Sequence, residues 1–362
     1  MQQTAKMTPF QFYTVLFLSR VFSMVTYVAG VRETLSATDE VIAAVLTGVF
    51  LFVTSVPVLI FLRQGDSSSL ITRAESVSSV FAKILCVIYL ADYLYFGVIT
   101  AVRFGIFTGS VMFPDTNVLF FIAVMLLASS YIVLKGVESM GRSAVIILIP
   151  VAAALVFVFA TQSEAFDWLN FTHPFTSSVQ DIFSSGFYSA SRTGELAFVM
   201  LLTPFVKKQK GKHVLRWILA VSVVIVITEI VLAGVLGGFG STQLFSMYSL
   251  SVLAEFGFIE RLDAIITCMW LLCAAVKIAV TLFLCETLLS SLIKKRCRKT
   301  YIFVSAAVIL VCSVPLANNI GSLTALIRSP LAYVFYLSTV CVIPLIVIFA
   351  EKIKRRRCNA DC

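Results

Sequence analysis

The chain is constrained above all by a recurrence: ten largely apolar stretches, at about 9–31, 40–62, 84–110, 117–135, 143–161, 183–206, 214–238, 262–291, 301–317 and 331–350. A helix needs about 20 apolar residues to cross roughly 30 Å of hydrocarbon, and a barrel strand only about half as many. Inside a bilayer a helix satisfies its own backbone polar groups. Stretches of this length therefore predict an all-α integral membrane protein with ten transmembrane helices. Composition agrees, because 59% of the 362 residues are hydrophobic and only 13% are charged, too few to coat a soluble domain. The first stretch follows Lys6, exceeds a signal-peptide core in length and lacks a small-residue cleavage site. It is expected to remain as span one.

The formal net charge is +9, which by itself would suggest nucleic acid as a partner. Its distribution argues otherwise. Alternate loops and both termini collect 21 basic residues and five acidic ones, including the runs Lys207–Lys212, Lys294–Lys299 and Lys352–Arg357. The remaining loops hold three basic residues and ten acidic ones. Short cytoplasmic loops are enriched in Lys and Arg, so both termini are placed in the cytoplasm. The basic clusters are read as topology signals and anionic-lipid contacts, with the bilayer rather than nucleic acid as their partner, since no aromatic or polar scaffold accompanies them. Segment 66–83, with Leu70, Ile71, Val77, Val80 and Phe81 among polar residues, reads as an amphipathic elbow on the inner face.

Ten spans with both ends inside divide into five plus five, and an odd repeat must be inverted. The expected organisation is a first repeat at 1–161, a connecting loop at 162–182, a second repeat at 183–350 and a basic tail at 351–362. In such folds the ligand sits near the midplane, where the first helix of each half is broken. The halves share no evident sequence identity, but spans one and six are both polar at mid-depth. Span one carries Ser19, Arg20, Ser23 and Thr26, and span six carries Ser184, Ser185, Ser189, Ser191, Arg192, Thr193 and Glu195. Hydroxyls can instead bond back to their own helix or join neighbouring helices.

Eight ionisable residues fall within spans: Arg20, Asp92, Arg103, Arg192, Glu195, Glu229, Lys277 and Glu286. Each costs about 2.5–3.5 kcal/mol at a helix centre on insertion scales, so each should face protein, water or a partner. Four are positive and four negative, and all but Glu286 are taken as one intramembrane charge network. Asp92, Phe96, Ile99 and Arg103 share a face of span three. Arg192 and Glu195, three apart, are expected to pair along their helix. Arg103 and Glu286 lie near span ends, where reaching the interface is a sufficient explanation. Glu229 is open between helix adhesion and function. Glu195 and Lys277 are the strongest functional candidates, because their central positions leave the fewest harmless explanations.

Neither His173 nor His213 has Cys or acidic partners at metal-ligand spacing. Gly237, Gly238 and Gly240 read as a helix end rather than a phosphate loop, and the nine cysteines show no paired spacing. No enzyme, metal or cofactor is expected.

The stretch Gly194 to Lys212, GELAFVMLLTPFVKKQKGK, resembles the sixth span and lysine-rich loop of the B subunits of spore germinant receptors. Phe258 to Trp270, FIERLDAIITCMW, is similar to the start of their eighth span, and Thr8-Pro9-Phe10-Gln11 to their opening. That family lies in the amino acid–polyamine–organocation transporter superfamily. The resemblance implies a nutrient sensor in the spore inner membrane, acting with an A-type membrane subunit and a C-type lipoprotein to start germination. Its ligand would typically be an amino acid. By position, the implied ligand-binding residues are Ser19, Ser23 and Tyr27 on span one, Asp92, Tyr93 and Phe96 on span three, Ser189, Ser191, Thr193 and Glu195 on span six, and Val276 and Lys277 on span eight. Many relatives hold sodium between spans one and eight, where the Lys277 ammonium would replace the ion. The chain departs from the superfamily in lacking clustered glycines in span one, where Ser23 and Met24 stand instead. Two other readings stay open: a proton-coupled amino-acid or amine transporter with Glu195 as the titrating group, and a structural subunit that has lost ligand binding.

Overall fold

The computed structural model describes residues 6–26, 35–64, 67–171, 173–253, 263–295, 297–317 and 319–360. Among them there is no strand, only an isolated parallel bridge between Met7 and Val206.

Helix α1 (Pro9–Val25) begins with a reciprocal cap. The Thr8 hydroxyl accepts the Gln11 N–H at 3.2 Å, and the Gln11 side chain accepts the Thr8 N–H at 2.9 Å. Pro9 stands at a first-turn position where its missing N–H costs nothing. Thr8→Ala is expected to cost about 1 kcal/mol, measured by thermal unfolding in detergent. Helices α2 (Ala37–Thr54) and α3 (Val56–Arg63) form one apolar run, jointed at Ser55. Helix α4 (Leu70–Val77) is the amphipathic elbow: Leu70, Ile71 and Ala74 are buried, and the Arg73 guanidinium lies 4.0 Å from the centre of the Phe61 ring.

The chain continues through α5 (Ser79–Phe107), extended by a π turn at Thr108–Met112, then α6 (Val118–Leu134) and α7 (Val137–Thr161). Two short helices follow, α8 (Val179–Ser191) and α9 (Glu195–Leu201). Helix α10 (Gly211–Leu236) ends at Gly237, whose φ of 50° suits a residue without a Cβ. Then come α11 (Ser246–Val252), α12 (Asp263–Ile293), α13 (Arg298–Ala317), α14 (Ile320–Arg328), α15 (Leu331–Tyr336), a π turn at Leu337–Val342 and α16 (Ile343–Ala360).

Among the described residues, seven helical runs are long and apolar enough to cross a membrane. The other three of the ten expected spans are helical but shorter. Helices α1 and α6 have 17 residues each, and span six is divided between α8 and α9. Span one was expected to break between Ser19 and Tyr27. Its helix ends within that stretch, at Val25, where Thr26 leaves the helical conformation and its hydroxyl donates to the Phe22 carbonyl at 2.6 Å. Tyr27 lies outside the described residues.

Helix α12 is the axis of the bundle: 78% of its apolar window is buried inside the protein, against 28% for α7. It packs on α5 and α1, while α2 lies between α8 and α10. The approach of α8 to α2 is close, since a Cβ at Gly186 would sit 3.0 Å from the Ala43 carbonyl oxygen. The charge-sorted loops meet as two ends. At the basic end, Lys294 pairs with Glu75 at 2.7 Å, and Met7 exchanges backbone bonds with Phe205 and Lys207 at 2.8 and 2.9 Å. At the opposite end, the Asp39 carboxylate holds the segment before α8.

Candidate functional site

Helix α8 ends at Ser191 and α9 starts at Glu195, so Arg192–Gly194 interrupt the sixth span at the level of the intramembrane charges. The interruption places Glu195 beside α1 and α12. Glu195 Oε1 accepts the Lys277 ammonium at 2.9 Å and the Ser19 hydroxyl at 2.8 Å. Lys277 Nζ also donates to Ser23 Oγ at 2.7 Å and to the Ser19 carbonyl at 3.3 Å. An ammonium has three donors, and three different oxygens take them here. The carboxylate is less complete: Glu195 is 1% exposed, and its Oε2 has no hydrogen-bond partner. Arg20 stands close enough to feel the Glu195 charge and donates from Nη2 to the Ser189 carbonyl at 3.1 Å, tying α1 to the end of α8. One buried polar cluster thus joins α1, both parts of the broken helix and α12.

A cavity of about 30 Å³ adjoins the cluster, lined by Ser23 and Phe22 of α1, by Tyr95, Phe96, Ile99, Thr100 and Arg103 of α5, and by Arg192, Lys277, Ile327 and Ala332. Its lining combines three cationic side chains with hydroxyl, aromatic and aliphatic groups, the mixture of apolar surface and a few polar groups that small-molecule sites use. Beside it, the Trp270 indole donates to the Thr26 hydroxyl and stacks on Phe22 and Phe104, with ring centroids 5.1 and 5.3 Å apart.

The expected residues therefore separate. Ser19, Ser23, Glu195 and Lys277 meet in the cluster, and Ser23, Phe96, Arg103, Arg192 and Lys277 line the cavity. Asp92 and Tyr93 do not line it. The cavity stops at Phe96, and Asp92, one turn nearer the basic end, is fully buried with neither carboxylate oxygen hydrogen-bonded. Tyr93 meets Phe198 edge-on at 5.1 Å. Val276 is packed in the core at 3% exposure, the Ser191 hydroxyl donates to the Tyr188 carbonyl at 2.7 Å, and Thr193 is buried within the break. Ser189 contributes the carbonyl that holds Arg20, and it lines, with Glu229, a different cavity across α1.

Two expectations are corrected. Glu195 takes Lys277 rather than Arg192, because the break removes the continuous helix that would stack residues three apart. The Arg192 guanidinium instead covers the Tyr188 ring at 4.0 Å. Arg103 does not reach the interface. It is 6% exposed and faces the cavity, since α5 continues as a π turn beyond it. Sequence reasoning missed Phe22 and Thr100, although Thr100 stands one helical turn beyond Phe96, the spacing that marks a shared face.

A family profile described as spore germination protein matches residues 6–320. The chain belongs to the spore germination protein family. No curated protein matches by sequence. Among solved structures, a Na⁺-coupled sialic acid symporter in a substrate-bound outward-open state superposes with a TM-score of 0.65 at 13% identity, over 95% of this chain and 79% of that one. MhsT in complex with L-phenylalanine superposes with a TM-score of 0.53 at 13% identity, over 96% of this chain and all of its own. At such identity the likeness shows the fold alone: this spore germination family member is an integral membrane protein with the amino-acid-transporter-like architecture.

Proposed function

We propose that the protein is the ligand-sensing membrane subunit of a spore nutrient germinant receptor. It binds a small nutrient of the amino-acid class at the cavity beside Lys277 and passes the resulting shift to an A-type membrane subunit and a C-type lipoprotein. The chain sits in the spore inner membrane with both termini in the cytoplasm and crosses ten times, with repeats at 1–161 and 183–350.

The observation that carries this reading is the Glu195–Lys277 pair, which holds α1, α9 and α12 in one arrangement at the cavity wall. A ligand carboxylate competing for the ammonium weakens that tie. Ligand binding then has a differential effect on two arrangements of the helices, which a conformational signal requires. The Lys277 ammonium also sits on a backbone carbonyl and a hydroxyl, oxygens of the kind a sodium ion takes. Binding is therefore sodium-independent. Calorimetric titration of the purified protein with L-amino acids should give saturable binding that is equal in sodium and in choline buffers. Binding that vanishes without sodium and survives Lys277→Ala would overturn the assignment.

The unpartnered Glu195 Oε2 favours one competing reading, a proton-coupled transporter in which that oxygen takes the proton. Sustained uptake into proteoliposomes under a proton gradient, lost in Glu195→Gln, would establish it in place of a pure sensor.

A further inference from the structure

Helix α10 is flanked by two apolar grooves that meet at one residue. The first, of about 670 Å³, runs between Val45, Val49 and Phe52 of α2 and Leu219, Val223 and Ile227 of α10. The second, of about 580 Å³, runs between α1 and α10 over Phe10, Tyr13 and Phe17, with Leu148 of α7 and Trp217 in its lining. Arg216 lines both. We propose that the start of α10 is a site for an anionic phospholipid, with its phosphate at Arg216 and its acyl chains in the two grooves.

The dimensions suit such a molecule. At about 1.5 Å per residue, the first groove follows α10 from Leu215 to Ile227 for about 18 Å, and the second follows α1 from Thr8 to Phe17 for about 14 Å. One leaflet of a hydrocarbon core about 30 Å thick is about 15 Å deep. Each groove therefore has the reach of a chain that starts at headgroup level. The start of α10 is at that level, because it follows the basic run Lys207–Lys212.

Charge selects the headgroup. Neither lining contains an acidic residue. Lys210, Lys212 and Arg216 stand close enough to act on the His213 ring, which itself lines the second groove. Lys210, at the N-cap, makes no side-chain hydrogen bond to the first turn of α10, and that turn holds no acidic residue. The positive end of the helix dipole is thus left uncompensated, as at the helix N-termini that take phosphate. A zwitterionic headgroup would bring a further cation into this cluster, and an anionic one does not. A separate observation comes from Trp217, one residue beyond Arg216. It is 3% exposed, it lines the second groove, and its indole N–H has no hydrogen-bond partner within the protein. Buried donors are normally satisfied. The ester carbonyls of a phospholipid lie just beneath its phosphate and are acceptors of the kind this donor lacks.

The site requires only that the chain spans a membrane, and needs neither signalling nor a ligand beside Lys277. Diffuse attraction between basic loops and an anionic surface would act alike on every basic cluster, whereas a built site depends on Arg216. The test reconstitutes the full chain in vesicles and compares quenching of tryptophan fluorescence by brominated phosphatidylglycerol and brominated phosphatidylcholine. The chain has three tryptophans, and the difference between wild type and Trp217→Phe isolates the groove signal. Phosphatidylglycerol is expected to be preferred at Trp217 by about tenfold, the worth of one charge-assisted hydrogen bond. Arg216→Gln should abolish that preference. Lys299→Gln, which removes the same charge from an exposed position at the start of α13, should leave it intact. Should Trp217→Phe fail to fold, mass spectrometry of the detergent-extracted protein decides: wild type retains a phosphatidylglycerol that Arg216→Gln loses. Equal quenching of Trp217 by the two lipids, or a preference reduced as much by Lys299→Gln as by Arg216→Gln, would overturn the proposal.

Discussion

Lys277→Ala is expected to destabilise the protein by about 3–5 kcal/mol, because it leaves a buried carboxylate without its counter-charge. Glu195 is 1% exposed, and one of its oxygens already lacks a partner; removing Lys277 leaves the Ser19 hydroxyl as the only hydrogen bond to the other. Glu195→Gln should cost less than Lys277→Ala, since the ammonium keeps the Ser23 hydroxyl and the Ser19 carbonyl. The double variant Glu195→Gln/Lys277→Met removes both charges. It should regain most of the lost stability, because replacing a buried ion pair by groups of similar volume is often neutral. Ligand response should stay absent in all three. Thermal unfolding in detergent, with calorimetric ligand titration on the same samples, separates these outcomes. A Lys277→Ala protein as stable as wild type would show that the pair does not hold the helices together.

Asp39→Ala should be the next most damaging single change, at about 3 kcal/mol for the loss of two charge-assisted hydrogen bonds from part-buried backbone donors. The Asp39 side chain is fully buried in the first turn of α2. Its two oxygens accept the Phe175 and Ser177 N–H groups, each at 2.7 Å, and so fix the connection that leads into α8. Phe175 has a φ of 61°, a left-handed conformation that a bulky residue avoids unless its surroundings enforce it. Without Asp39 that enforcement is lost. Hydrogen exchange at Phe175 and Ser177 should accelerate by at least about tenfold. Asp39→Asn, which keeps one acceptor, should fall between. Unchanged protection at both amides in Asp39→Ala would exclude the clamp.

Much of the site was visible in the sequence. Glu195 and Lys277 stood out because a central intramembrane charge has few harmless explanations. What the sequence could not show was their pairing. They are 82 residues apart, on helices that are apolar nearly all round, so no polar stripe announces which faces meet. The Arg192–Glu195 expectation failed for a related reason. It assumed a continuous helix, and continuity is decided by what the neighbouring helices offer the freed backbone groups. The count of spans shows the same limit: α1 and α6 have 17 residues each and the sixth stretch is divided between α8 and α9, an unevenness that the apolar runs do not reveal.

The length and number of the apolar runs determined by themselves that this chain is a bundle of membrane helices, because no other backbone arrangement buries such runs. The sorting of charge determined which loops gather at each end, because crossing a bilayer with a basic loop is costly. Asp92 and Arg103 mark where that kind of determination stops. They lie on one face of one helix, and the sequence favours Asp92 as the more central of the two, yet Arg103 opens onto a cavity while Asp92 is sealed beneath it. Only the packing of α12 and α14 against α5 sets the depth at which space is left, and that depth decides which charge faces the cavity.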